Sequence, residues 1–256
     1  MNTSWYFEPA SPGRPRILAH RGFTYSGMTQ IADENTLRAF ELALSMGADY
    51  LETDIQLTKD AIPVLYHDGS LKRLTGKETK VSKLSWNELR AISLPHGGSI
   101  PSLEEALKAF PEAKFNLDLK TPFAVIPATN LIANLQAENR VLLSSFSEQT
   151  RLSALARFDY PVATSPGSSK VIRIYAQARF KNNLSNLLAG VNALQVPISA
   201  YGIDFTHPSF VEKILEENKE LHYWTINDPH QMQKLFSLGA TGIVTDRTDL
   251  AIAAFS

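Results

Sequence analysis

LETDIQLTKDAIPVLYHD, residues 51–68, reads as a short apolar strand, a turn, and a second strand that runs back along the first. Side chains two apart on a strand point the same way, so Glu52 and Asp54 share a face within an otherwise apolar segment. Folding the chain back at Asp60/Ala61 as an antiparallel hairpin sets His67 opposite Asp54, because the two are equidistant from that turn. Two carboxylates side by side repel unless a cation or protons lie between them. Placed in so apolar a strand, the pair reads as a ligand set for a hard divalent cation. Oxygen ligation points to Mg²⁺ or Ca²⁺ over Zn²⁺, although nearby histidines leave other metals open. The competing reading is a solvated acidic face.

Outward from this hairpin the chain keeps one rhythm. Apolar runs of strand length fall at residues 16–21, 49–57, 114–119, 141–145, 161–165, 193–197, 221–226 and 241–246. Segments of helical period lie between and after them, at 35–46, 102–110, 123–136, 147–157, 168–188, 208–218, 229–238 and 249–255. Ser102-Leu-Glu-Glu105 and Asn227-Asp228-Pro229 carry helix-start chemistry. Eight strand–helix units in 256 residues predict an α/β protein of the (β/α)₈ TIM-barrel class, in one domain. A doubly wound open sheet is the alternative. Residues 69–100 break the rhythm with turn and helix signals of their own. They read as a small insertion after the second strand and its hairpin, on the active rim.

Chemistry gathers where strands end, the rim on which barrels carry their sites. His20-Arg21-Gly22 closes the first strand, and Asn116, Asp118 and Lys120 share a face on the third. Asp118 can complete the carboxylate set, and Arg21 and Lys120 can reach phosphate oxygens; an Asp118–Lys120 ion pair is the plainer reading. Asn35, in Glu34-Asn35-Thr36, fits a helix N-cap. Trp224, near a strand end, can wall a pocket or fill the core. His96, His207, His222 and His230 read as structural.

Composition narrows the field. The chain is 44% apolar with a formal charge of −1, and no basic block marks a nucleic-acid binder. Without cysteine there is no thiolate metal site and no cysteine nucleophile. Residues 1–16 lack the basic and apolar regions of a secretory signal, and no apolar run approaches transmembrane length, so the expected location is cytoplasmic.

Taken together, these motifs resemble the glycerophosphodiester phosphodiesterase family from about Leu18 to Asp246. The match includes HRG (20–22), ENT (34–36), LETDIQLTKD (51–60), HD (67–68), PSLEEAL (101–107), SSF (144–146), WTIN (224–227) and TGIVTDR (241–247). The resemblance implies a (β/α)₈ barrel and divalent-metal-dependent hydrolysis of small glycerophosphodiesters to an alcohol and glycerol 3-phosphate. It implies His20 and His67 as the acid/base pair. Arg21 and Lys120 would bind phosphate, and Glu52, Asp54 and Asp118 the metal. One position departs: Asp118-Leu-Lys120 stands where the family usually has Glu-x-Lys, an arm one methylene shorter. Lysophospholipase D and sphingomyelinase D-like enzymes are the rival reading, and a non-catalytic phosphoester-binding barrel is another. Retention of both histidines and all three acids argues against the last.

Overall fold

Alternation along eight parallel strands builds both the wall and the contents of a barrel. The structure, a computed structural model, describes residues 6–7, 13–180 and 183–256. Its barrel strands are β1 (Arg16–His20), β2 (Tyr50–Leu57), β3 (Phe115–Leu119), β4 (Val141–Ser144), β5 (Ala163–Thr164), β6 (Ala193–Val196), β7 (Glu220–Tyr223) and β8 (Gly242–Thr245). They pair in the order β5-β4-β3-β2-β1-β8-β7-β6. Asn192 bridges the remaining seam, donating its N–H to Thr164 O at 3.0 Å and accepting the Thr164 N–H on its side-chain oxygen at 3.0 Å. The expected (β/α)₈ barrel is the fold found.

A helix follows each strand: α1 (Leu37–Ser45), α2 (Leu103–Ala109), α3 (Val125–Asn134), α4 (Glu148–Leu155), α5 (Ser168–Arg179), α6 (Pro208–Glu216), α7 (Pro229–Ser237) and α8 (Thr248–Ala254). Ser102 and Glu105 close a capping box on α2, and Asp228 caps α7 ahead of Pro229. The single helix expected over 168–188 instead stops at Arg179. Asn183 accepts the Ser185 N–H at 2.7 Å and opens a separate turn, Ser185–Leu188. Short polar side chains of this kind compete with the helical backbone.

Outward-facing residues such as Leu51, Leu117, Leu143, Leu194 and Ile243 are buried under the helices. Each such side chain contributes about 1.5–3 kcal/mol of burial free energy. Inside the barrel, Leu18, Tyr50, Leu142, Ala163, Ala193 and Val244 form one apolar layer. The next inward positions, two residues on, are His20, Glu52, Ser144, Ser165, Gln195 and Asp246. The same alternation therefore ends an apolar core and begins a polar rim.

The hairpin is real, but its register differs by one residue. Residues Pro63–Leu65 run antiparallel to β2 with Leu57 opposite Pro63 and Ile55 opposite Leu65. The Tyr66 N–H donates to Asp54 O at 3.0 Å, so Tyr66, not His67, lies opposite Asp54. The turn is centred on Asp60, with Ala61 in the left-handed region at φ 62° and Thr58 N–H bonded to Ile62 O at 3.1 Å. The insertion after the hairpin has its own small core around Leu71, Val81, Leu89 and Leu94, packed on Val64 and Tyr66. The N-terminal segment read as lacking a secretory signal lies largely outside the described residues. Among the described residues no helix is long and apolar enough to cross a membrane.

Candidate active site

After His20 the chain turns through two left-handed residues, Arg21 at φ 58° and Gly22 at φ 82°. A Cβ at Gly22 would stand 2.7 Å from Ala39 of α1, so the turn requires glycine. It lays Arg21 across the end of β2, where the Arg21 N–H donates to Glu52 Oε2 at 3.1 Å.

Each of the two expected histidines has its own carboxylate. His20 Nδ1 lies 2.6 Å from Asp246 Oδ1. An ionised carboxylate only accepts, so Nδ1 carries the proton and Nε2 is left for the cavity. Asn227 Nδ2 donates to Asp246 Oδ2 at 2.8 Å, and Asn227 Oδ1 accepts from Thr245 Oγ1 at 3.0 Å and from the Asp246 N–H at 2.9 Å. Burial pulls the His20 pKa down. The hydrogen bond to Asp246 and the charges of Glu52 and Asp246 outweigh it, and the imidazole sits above its ordinary value. Burial would raise Asp246, but its bonds to His20 and Asn227 hold it below the ordinary carboxylate value.

His67 Nδ1 lies 2.8 Å from Asp68 Oδ1, whose other oxygen accepts Arg73 Nε at 2.6 Å. Arg73, from the insertion, also forks onto Glu34 at 2.8 and 2.6 Å, and Glu34 accepts Arg21 Nη1 at 3.1 Å. Asp68 is held below its ordinary pKa: burial opposes ionisation, and the His67 and Arg73 bonds overcome it.

Strand register places Glu52 beside Asn116 and Asp54 beside Asp118. Lys120 Nζ stands 2.8 Å from Asp54 Oδ1 and 2.8 Å from Asp118 Oδ2. Burial pushes Glu52 upward and the Asp54 charge adds to it; burial also raises Asp118. For Asp54 the burial effect is overcome by Lys120 and Arg21, and its pKa falls. Asn35 is not the helix cap. Thr36 caps α1, and Asn35, left-handed at φ 57°, donates Nδ2 to Asp54 Oδ2 at 3.1 Å while accepting Thr53 Oγ1 at 2.7 Å.

The donor set suits a hard cation: three buried carboxylates, with Asn116 Oδ1 buried beside them and lacking a hydrogen-bond partner. As arranged, however, Asp54 and Asp118 are clamped by the Lys120 ammonium. Among the described residues no three His, Asp or Glu side chains converge on a common point. Buried Arg21 Nε likewise has no hydrogen-bond partner, although Asp54 Oδ2 lies 3.3 Å away.

All eight site residues expected from the sequence line one cavity of about 410 Å³: His20, Arg21, Glu52, Asp54, His67, Asp118, Lys120 and Trp224. The sequence reading missed Asp246, Asn227, Arg73 and the orienting role of Asn35. Asp246 carried a usable signal, since it ends the last strand and barrel closure sets that strand beside the first. The other histidines do not line this cavity. His96 and the Gly98 N–H bond Asp33, His207 caps α6, His222 is buried in the barrel floor near Glu220, and His230 is exposed.

Residues 20–250 match the Glycerophosphoryl diester phosphodiesterase family. The chain is 34% identical over 236 residues to a probable glycerophosphodiester phosphodiesterase of Mycobacterium tuberculosis, covering 91% of this chain and 88% of that one. It is 26% identical over 268 residues to a rat lysophospholipase D, covering 90% and 83%. Among solved structures, an Oleispira antarctica phosphodiesterase in complex with the product sn-glycerol-3-phosphate superposes with a TM-score of 0.75 at 24% identity, covering 94% of this chain and 96% of that one.

Proposed function

Because the chain belongs to the glycerophosphoryl diester phosphodiesterase family and is a phosphoric diester hydrolase, we propose that it cleaves glycerophosphodiesters to an alcohol and glycerol 3-phosphate by paired-imidazole acid/base chemistry. One observation carries the reading: two imidazoles, each with Nδ1 engaged by its own carboxylate, line one cavity with Arg21 and Lys120. One imidazole takes the proton from the substrate's glycerol 2-hydroxyl as that oxygen attacks phosphorus. The other gives a proton to the departing alcohol. Water then opens the cyclic phosphate with the roles reversed.

Arg21 offers its unsatisfied Nε and Lys120 its ammonium to the phosphate oxygens, neutralising charge that builds in the transition state. Trp224 walls the pocket. Glu52, Asp54 and Asp118 would hold a divalent cation, Mg²⁺ or Ca²⁺, which when bound supplies further stabilisation of oxyanion charge. For Asp54 and Asp118 to take that part, Lys120 must release its present bonds to them and turn to the phosphate. The shorter Asp118 arm is compatible with either partner.

The test is hydrolysis of glycerophosphocholine with added Mg²⁺ or Ca²⁺, reading choline and glycerol 3-phosphate together. His20→Ala and His67→Ala should each lower kcat by about 10²-fold or more, and the double variant should fall far less than the product of the two. Wild-type turnover in either single variant would remove that histidine from the chemistry.

A further inference from the structure

The rim around the mouth of the cavity carries exposed apolar side chains that the opposite end of the barrel largely lacks. Among the described residues four large apolar side chains are more than three-quarters exposed. Three of them stand on β–α loops of this rim: Met28 at 92%, Phe123 at 78% and Tyr201 at 95%. The fourth, Phe180, follows α5 at the far end. Single exposed apolar residues are ordinary on a surface, but several at loop ends round one opening are not.

Two of these loops hold the side chain out on a hairpin tip. Met28 follows Gly27, left-handed at φ 59°, in the turn that joins Tyr25–Ser26 to Thr29–Gln30. Tyr201 lies in the turn that joins Ser199–Ala200 to Ile203–Asp204, where Tyr201 at φ 52° and Gly202 at φ 76° are both left-handed, the geometry of a tight primed turn. Nothing lies within 4 Å of the position a Cβ would take at Gly27 or Gly202, so both tips project clear of the barrel.

The same rim carries positive charge. Residues 69–100 hold six Lys and Arg against two Glu, in a chain whose formal charge is −1. These cations are spread along the sequence, and the fold gathers them. The Leu71 N–H bonds Thr79 O at 2.9 Å and the Val81 N–H bonds Gly69 O at 3.0 Å, which turns the segment back on itself. Arg73 is held by Glu34 and Asp68, and Lys72 by Glu78 at 2.6 Å. Lys77, Lys80 and Lys83 are exposed and have no acidic partner among the described residues.

Apolar tips and unpaired lysines round one opening suit a surface that presents anionic phosphates with hydrocarbon just beneath them. The apolar side chains stand singly on separate loops. A fluid layer can meet that spacing without shape complementarity, whereas a folded partner would have to match each loop in turn. We propose that this rim docks on an anionic lipid bilayer. Met28, Phe123 and Tyr201 enter the headgroup layer, Lys77, Lys80 and Lys83 pair with lipid phosphates, and the mouth of the cavity faces the membrane. The docking concerns where the protein sits and does not depend on which diester it cleaves.

The test is co-sedimentation of the full chain with vesicles. Vesicles of phosphatidylcholine and phosphatidylglycerol in equal parts should carry it down, and vesicles of phosphatidylcholine alone should leave it in solution. Binding should weaken as salt rises. Each lysine near such a surface is worth about fivefold in affinity, so Lys77→Gln/Lys80→Gln/Lys83→Gln should lose about 10²-fold. Met28→Ser/Phe123→Ser should lose about tenfold or more. Unchanged melting temperatures in both variants show that they are folded. Sedimentation with neither vesicle, or equally with both, overturns the proposal. Binding that survives Met28→Ser/Phe123→Ser in full reduces the contact to surface charge and also overturns it. A concentration-dependent dimer that the same variant abolishes, without vesicle binding, gives the apolar rim to a second copy of the chain and overturns it. So does a wild type that ignores vesicles while the lysine variant loses kcat/KM at low salt, which assigns those lysines to steering a diester through water. Failure of the wild type to hydrolyse glycerophosphocholine would remove the phosphodiesterase reading and leave vesicle binding to decide this one.

Discussion

Asp246→Asn is the sharpest test of the His20 assembly, because the surroundings dictate how the new amide must sit. Asn227 Oδ1 is fixed by Thr245 Oγ1 and the Asp246 N–H, so its NH₂ group faces residue 246 and donates there at 2.8 Å. The substituted amide must turn its oxygen toward Asn227 and its NH₂ toward His20 Nδ1. That donor forces Nδ1 to accept and moves the imidazole proton to Nε2, the nitrogen left for the cavity. The substitution also removes a charge-assisted bond, worth about 1.5–3 kcal/mol in the state that carries the imidazolium. At about 1.36 kcal/mol per decade this is roughly a ten- to 150-fold loss of kcat. Asp246 raises the His20 pKa, so its removal should also shift the pH–rate limb of this imidazole to lower pH, whichever of the two proton roles it plays. The assay is a pH profile of kcat for glycerophosphocholine hydrolysis with thermal unfolding as a control. Wild-type kcat with an unmoved limb in a folded variant would refute the argument.

Arg73→Ala leaves Asp68 with only His67 and Glu34 with only Arg21 as the partners described above, and a fall in kcat of about tenfold with little change in melting temperature is expected, since this half-exposed pair network adds little stability. Asp118→Asn separates metal ligation from pairing with Lys120: titrating Mg²⁺ or Ca²⁺ against activity should show weaker metal binding, with half-activation at higher metal concentration, if Asp118 is a ligand, and an unchanged requirement excludes it. Gly22→Ala meets Ala39 at 2.7 Å and a left-handed backbone together; a loss of about 1–3 kcal/mol, or several degrees of melting temperature, should follow in calorimetry. The raised His20 pKa also makes stability pH-dependent. Its contribution is fully present below the unfolded value of about 6.5 and is lost as pH rises through the folded value, so chemical denaturation across that window should show a steeper alkaline decline in wild type than in Asp246→Asn.

The parts of this site visible in the sequence are those that period two alone can place. Glu52 and Asp54, or Asn116 and Asp118, share a face because of strand geometry, and strand termini that end in polar residues mark the rim of a barrel. What could not be read depends on single residues of backbone or on contacts distant in sequence. A hairpin centred on Asp60 rather than between Asp60 and Ala61 differs by one left-handed residue, and it decides which side chain faces Asp54. Asn35 has the composition of a cap and becomes a carboxylate-orienting residue because its own φ is 57° and Thr36 takes the capping bond. Arg73 lies in an insertion with no periodicity to place it.

Lys120 joins the two kinds of residue. Strand alternation puts it on the same face as Asp118, yet only the folded site shows it bound at equal distance to Asp54 and Asp118, with Phe146 at its back. A partly buried ammonium between two buried carboxylates offsets only part of the negative charge that β2 and β3 bring together. Bringing a divalent cation to the same acids requires that ammonium to move, and an incoming phosphate dianion or diester is the group it can move toward. Cation and phosphate should therefore bind with positive coupling, each making room for the other. Lys120→Met would remove the competing ammonium and its phosphate contact together: metal affinity in the absence of substrate should rise, while kcat/KM falls. If metal affinity instead falls with activity, Lys120 does not compete with the cation for Asp54 and Asp118.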